Sequence, residues 1–273
     1  MNLEIFYYFF VFVFGLCVGS FLNCVIYRTE LQAGMPAGPS RKAVSFLRGK
    51  SFCPRCKHTL KWIDLIPVLS FLFLKGKCRY CKKKISIQYP LVEISTGIIF
   101  ILIFNFSAQG GPASGWQFLN LVFWFYVASV LIIIFVYDLK HYIIPDKVLF
   151  PAIIIAFLYR LFGNFYLITN FLIAVVIASG FFLIIFLVSK GKWMGFGDVK
   201  LAILMGLLLG ISSVLAALFV AFFFGAIISI ILIILNKKKL KSEIPFGPFL
   251  IIGTFLAMFW GQQLVLWYLN MFI

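Results

Sequence analysis

The chain is 273 residues long, 63% hydrophobic and 19% aromatic, and carries a formal charge of +16. Only 12% of its residues are charged, about half the share found in soluble globular domains. This excludes a water-soluble domain and leaves an all-α, polytopic helical membrane protein. The charge does not point to nucleic acid, because the basic residues lie between apolar runs and read as orientation signals.

Eight spans are predicted in chain order, at about 5–26, 89–106, 119–137, 148–165, 167–188, 201–214, 216–235 and 247–270, each apolar enough for a transmembrane helix. The first contains Glu4 but no early Lys or Arg, so it reads as a retained helix (1–26) and not as a cleaved signal. Cys17 and Cys24 stand within it and read as packing residues. Next comes a polar insert, 27–87, with fourteen Lys and Arg. It holds "CPRC", Cys53 to Cys56, and "CRYC", Cys78 to Cys81, separated by 21 residues. Two such knuckles bring four thiolates to one ion, the pattern of a closed, structural zinc site with no open position for catalysis. Two disulfides are the alternative, and they require an oxidising compartment. His58 reads as a solvated loop histidine. The remainder, 88–273, is a multi-helix membrane domain.

The second span opens with "YPLVE", which places Glu93 close to a membrane edge. The third ends at Asp138, and "DLKHYIIPD" leads to Asp146 before the fourth. Arg160 lies in the fourth span. Between the fifth and sixth stands "GKWMGFGDVK", with Gly195, Gly197, Asp198 and Lys200. The sixth and seventh are separated only by "GISSV". "SEIPFGPFL" precedes the last, where Pro245, Gly247 and Pro248 either punctuate a loop or line a cleft with open backbone.

With eight spans, the loops at 27–87, 138–147, 189–200 and 236–246 share a side and hold 23 of the 24 basic residues, with Arg160 the exception. The positive-inside rule makes that side cytoplasmic. Asp138, Asp146 and Asp198 fall at its membrane edge, where carboxylates are costly unless paired, wet or functional. Two carboxylates brought together share a proton and activate a water for attack on an amide. The glycines before Asp198 are expected to supply a backbone closed to other residues, letting a substrate strand approach. The plainer alternative makes Asp198 and Asp146 helix N-caps.

"GSFLNCVIYR" (19–28), the two CxxC pairs, "YPLVE", "DLKHYIIPD", "GFGDVKL" (195–201) and "PFGPFL" occur in this order. Together they closely resemble the bacterial type IV prepilin peptidases, a family of membrane aspartyl proteases, over nearly the whole chain. The resemblance implies an aspartyl protease domain within 88–273 that removes the short basic leader of prepilins and pseudopilins at the cytoplasmic face of the inner membrane. Asp198 and Asp138 match the family's catalytic pair, and Asp146 matches an aspartate usually regarded as non-catalytic. Many members also methylate the new N-terminal amine with S-adenosylmethionine, and these carry the large cysteine-bearing insert. The sequence has no Rossmann-type glycine fingerprint, so no cofactor residue is named. Glu93 is a candidate for holding an amine or substrate, or for a helix-end pair with a lysine. The expected partners are prepilin-like substrates and the lipid bilayer. Because the protein's own loops are basic, recognition of a basic leader is expected to rest on Glu30, Asp64, Glu93 and Glu243 and on the substrate's hydrophobic stem. A proton- or cation-coupled transporter and a non-enzymatic zinc-bearing scaffold are the rival readings.

Overall fold

The computed structural model describes residues 3–34, 51–108, 115–163, 168–235 and 244–270, so Glu243 and most of the 236–246 loop lie outside the described residues. Long runs of Phe, Ile, Leu and Val form helices because a helix satisfies every backbone group internally, as a bilayer requires. The helices are α1 (Leu3–Gly34), α2 (Leu69–Phe73), α3 (Gln88–Ala108), α4 (Gly115–His141), α5 (Asp146–Gly163), α6 (Ile168–Ser189), α7 (Phe196–Ile234) and α8 (Gly247–Asn270), with a 3-10 turn at Trp62–Leu65. Among the described residues the only β pairing is two isolated bridges in the insert. The fold is all-α, and large side chains such as Val176, Val188 and Phe219 face outward, as lipid contact demands.

Among the described residues six helices are long and apolar enough to cross a membrane, namely α1, α3, α4, α6, α7 and α8. The expected eight differ from these six for two reasons. α5 carries Asp146, Lys147 and Arg160, which lower its apolar character. α7 runs for 39 residues, about 58 Å at helical rise, against about 30 Å of hydrocarbon. It is broken at Gly210, whose φ of 74° and ψ of 179° are non-helical. Its two legs run antiparallel: Phe196 meets Phe186 of α6 at 5.3 Å and Gly210 lies beside Asn170, whereas Phe222 of the second leg stacks on Phe182 of α6 at 6.2 Å. The break predicted near "GISSV" therefore falls at Gly210, the residue that accepts positive φ.

The chain divides into two compact units, 1–133 and 134–273. In the first, α1 and α3 pack backbone to backbone. A Cβ on Gly19 would stand 2.7 Å from the Glu93 Cα, the close approach that small residues give membrane helices. Tyr8 donates to Asn105 Oδ1 at 2.9 Å across the same pair. α1 continues to Gly34 instead of ending near residue 26, and its last turns bury Arg28, Thr29 and Gln32. Tyr27 meets Phe52 of the insert at 5.9 Å, so this polar extension of α1 serves the insert.

In the second unit α6, α7 and α8 form the core. Gly206 lies against Val175 of α6 and Gly253 of α8 against Ala217 of α7. The exceptional Arg160 closes the end of this unit that carries Gly210. It donates to the carbonyls of Leu207 at 2.9 Å and Leu208 at 2.6 Å, and its guanidinium lies 3.9 Å from the Phe171 ring. Asn170 Oδ1 accepts the Ile211 N–H at 3.2 Å. Both contacts cap the backbone freed by the break at Gly210.

Candidate functional site

The loops after α4, before α7 and before α8 converge at the other end of the second unit. α4 closes with the Tyr142 N–H on the Asp138 carbonyl at 2.9 Å, and Tyr142 takes φ of 58°. This turn drives Ile144 inward to 7% exposure. A Cβ on Gly197 would stand 3.2 Å from the Ile144 Cβ, and one on Gly247 3.6 Å from its Cδ1. Ile144 is thus a wedge fixing three chain segments, a role the sequence reading missed, although its place in "IIPD" was the available signal.

Asp138 ends up 4% exposed and Asp198 8% exposed, close enough to each other for direct electrostatic interaction. Asp198 stands in the first turn of α7, whose N-cap is Gly195, and its N–H bonds the Gly195 carbonyl at 3.2 Å. The Gly247 N–H, at the start of α8, donates to the Asp138 carboxylate. A Cβ on Gly247 would collide with Asp138 Oδ2. The "PFGP" stretch therefore borders the aspartates as well as turning the chain.

Two expectations are corrected here. Gly195 has φ of −75° and ψ of 150°, a conformation open to all residues, and nothing crowds its missing side chain. Gly197 is needed for space against Ile144, not for an unusual backbone. Nor does Asp146 cap α5: the Pro145 carbonyl accepts from Val148 and Leu149 at its start. The Asp146 carboxylate instead takes the Lys200 Nζ at 2.6 Å. Lys200 also lies 5.4 Å from the rings of Phe150 and Phe196, so Asp146 and Lys200 tie α5 to α7 beside the buried pair.

In the first unit the two CxxC knuckles fold alike. The N–H of Cys53 bonds the His58 carbonyl and that of Cys78 the Lys83 carbonyl, both at 2.9 Å. Lys57 and Lys82 occupy matching positive-φ positions. The sulfurs of Cys53, Cys56, Cys78 and Cys81 all lie within 4.8 Å of one another, with Cys53 to Cys81 at 4.0 Å. A tetrahedral zinc–thiolate site needs sulfurs about 3.8 Å apart, so the cluster fits a metal ion with a slight contraction. Burial opposes ionisation of Cys53, but the amides of Cys56 and Arg55 outweigh it and bring the thiol down to about 7. The His58 amide favours the Cys56 thiolate, while burial and the sulfurs of Cys53 and Cys81 prevail and push it up to about 11. A dication removes that crowding of negative charge. His58 is exposed, its ring lies 3.7 Å from that of Tyr80, and it stands outside the four-sulfur cluster. Burial would raise Asp64, yet the Arg79 guanidinium at 2.6 Å and the Lys61 amide hold its carboxyl below the usual range.

Glu93, 7% exposed, makes no helix-end pair with lysine among the described residues. Its Oε2 accepts the Val68 N–H at 2.7 Å, and the Ser20 hydroxyl bonds the same carboxyl. It borders a cavity of about 350 Å³ between the end of α1, the knuckles and the start of α3. Cys24 lines this cavity, while Cys17 is exposed on α1. Asn23 also lines it, 2% exposed. Its Nδ2 donates to the Tyr89 carbonyl at 3.0 Å, while its Oδ1 has no partner among the described residues.

Comparison with known proteins gives concordant results. Residues 13–106 match the family described as the bacterial peptidase A24 N-terminal domain, and residues 125–230 match the type IV leader peptidase family. A protein of Aeromonas salmonicida (strain A449) is 32% identical, with 97% of this chain and 94% of the relative covered. One of Legionella pneumophila is 31% identical over 99% and 97%, and one of Bacillus subtilis (strain 168) is 31% identical over 96% and 97%. All three bear the name prepilin leader peptidase/N-methyltransferase. No solved structure matches the chain.

Proposed function

Since this chain belongs to the type IV leader peptidase family, a multi-pass bacterial membrane protein, we propose that it cleaves the leader of prepilins and pseudopilins and N-methylates the new N-terminus. The observation that carries the peptidase half is the buried pair of Asp138 and Asp198, on different helices, at the end of the second unit where three loops meet. Two neighbouring carboxylates hold one proton between them. The amide hydrogen bond that Asp138 receives from Gly247 suits a charged carboxylate. Asp138 therefore takes the proton of a water placed between the two, and Asp198 gives its proton to the scissile carbonyl oxygen. The hydroxide oxygen bonds to the carbonyl carbon, and the resulting diol collapses as the leaving amine receives a proton from the pair. Gly195, uncrowded in extended backbone, is the edge along which a substrate strand lies.

The loops at 138–147 and 189–200 and the start of α8 come together at one end of the second unit, and the lone Arg160 lies at the other. That sorting supports a cytoplasmic active site in the inner membrane under the positive-inside rule, on the side where a basic leader stays. Asp64 is engaged by Arg79, so it is not left to bind the leader. Recognition rests chiefly on the hydrophobic stem of the substrate.

The cysteine cluster holds structural zinc, with thiolate ligands in a closed set of four. S-adenosylmethionine, when bound, supplies a methyl carbon that passes to the amine nitrogen while sulfur keeps the electron pair of the broken bond. The test is intact-mass analysis of a prepilin after incubation with the purified protein, with and without S-adenosylmethionine. Cleavage in both and a 14-dalton gain only with the donor are expected. An unprocessed prepilin overturns the peptidase reading, and cleavage without the gain overturns the methylation half.

A further inference from the structure

We propose that the cavity bounded by the end of α1, the cysteine knuckles and the start of α3 is the seat of the methyl donor, with Glu93 facing the sulfonium and Asn23 Oδ1 accepting a hydrogen bond from its polar part. This rests on the methyl-transfer half of the reading above.

Asn23 is buried to 2% exposure, spends its amide donor on Tyr89 and leaves Oδ1 without a partner among the described residues. Buried polar atoms are rarely left so, and a ligand N–H or O–H meets the deficit. Glu93 points to the charge of that ligand. A carboxylate accepts about four hydrogen bonds, and Val68 and Ser20 supply two. Among the described residues no lysine or arginine forms an ion pair with Glu93, and a buried carboxylate without a counter-charge is costly. A sulfonium beside Glu93 supplies that counter-charge, and Arg28, Arg55, Lys83 and Lys84, which line the same cavity, suit the carboxylate that such a donor also carries.

Size and lining favour a nucleoside sulfonium over a peptide strand. About 350 Å³ suits one small molecule. Tyr27, Phe52 and Phe71 line the space, giving aromatic faces for a purine and for a cation. Cys53 and Cys78 are also in the wall, so the metal cluster maintains the cavity's shape. This gives the zinc insert a task in methylation while keeping the ion out of the chemistry.

The test is titration calorimetry on the full-length, zinc-loaded protein in detergent, with S-adenosylmethionine and its uncharged thioether product S-adenosylhomocysteine as separate probes. Wild type should bind both. Glu93→Gln keeps an acceptor for Val68 but removes the charge, so it should weaken the sulfonium at least tenfold and the thioether less than twofold. Asn23→Ala should weaken both about tenfold. Zinc content and thermal midpoint close to wild type establish that the variants are folded. If wild type methylates cleaved pilin but both variants bind both probes normally, the donor sits elsewhere and only this inference falls. Equal loss of both probes in Glu93→Gln also overturns it, since the carboxylate then does not face the sulfonium. If wild type neither binds S-adenosylmethionine nor methylates, the methylation reading and this inference fall together.

Discussion

Replacing Gly247 with alanine adds one methyl group next to the aspartate pair and leaves both carboxylates chemically intact. The new Cβ would stand 3.2 Å from Asp138 Cγ and closer still to Oδ2, with Ile144 Cδ1 at 3.6 Å behind it. Asp138 is 4% exposed and Ile144 7%, so neither has room to yield freely. Relief requires the Asp138 carboxylate to retreat, which also breaks its hydrogen bond to the Gly247 N–H. Overpacking of this kind costs about 1–3 kcal/mol of stability. A displacement of about 1 Å at a reacting group costs on the order of 100-fold in rate. Gly247→Ala should therefore lower kcat for prepilin cleavage by about 100-fold with little change in KM, measured by timed mass spectrometry of a purified prepilin. Gly195→Ala is the contrast, because nothing but the Gly197 N at 3.9 Å lies near its Cβ; it should keep stability and raise KM by crowding the substrate strand. If Gly247→Ala cleaves at the wild-type rate, the placement of this glycine against Asp138 has no part in catalysis.

Asp138→Asn and Asp198→Asn should each abolish most cleavage, with the double variant little worse because the two act as a unit; wild-type turnover in either single variant refutes the pair. Asp146→Asn loses a half-exposed contact to Lys200, worth at most about 1 kcal/mol, and should cleave within a few-fold of wild type, whereas a dead enzyme would reassign the acid. Changing Cys53 and Cys56 together to serine should remove one zinc per chain by elemental analysis, and unchanged metal content would refute the cluster. For Asp64, the folded carboxyl titrates below its unfolded value, so the Arg79–Asp64 contact stabilises the insert above the unfolded pKa and fades as pH falls through the folded one. Hydrogen exchange across 58–80 should be faster in Asp64→Asn than in wild type at pH 7, with the gap shrinking only below the ordinary carboxylate value of about 3.9; a gap already closed at about pH 5, above that value, would refute this account.

The membrane spans, the cysteine cluster and the aspartate pair were legible because each leaves a local mark: an apolar run, a fixed spacing, an acid where acids are rare. What stayed hidden depends on approach between distant segments. Ile144 looks like any loop isoleucine until Gly197 and Gly247 close on it. The acceptor of Lys200 lies 54 positions away, so the sequence favoured local capping for Asp146. The sequence ends α1 too early because polar Arg28, Thr29 and Gln32 read as a loop, although all three are buried on the helix. The break in α7 falls at Gly210, the first residue of "GISSV", whereas the spans read from apolar runs alone divide a few residues later.

The clamp of Arg160 on the Leu207 and Leu208 carbonyls has a consequence for the order of assembly. The arginine leaves the ribosome 47 residues ahead of its first acceptor. In that interval α5 carries a cation at the end of the unit where no other basic residue is found among the described residues, and a charged side chain resists burial in lipid without partners. α5 therefore remains provisional until the first leg of α7 has entered and its turn at Gly210 has closed. A chain cut short before Leu207 loses more than the missing helix, because the earlier one never gains the contacts that settle it. The aspartates inherit this dependence: α5 begins at Asp146, directly after the loop that aims Ile144, so the end that carries them is set only when the far end is locked.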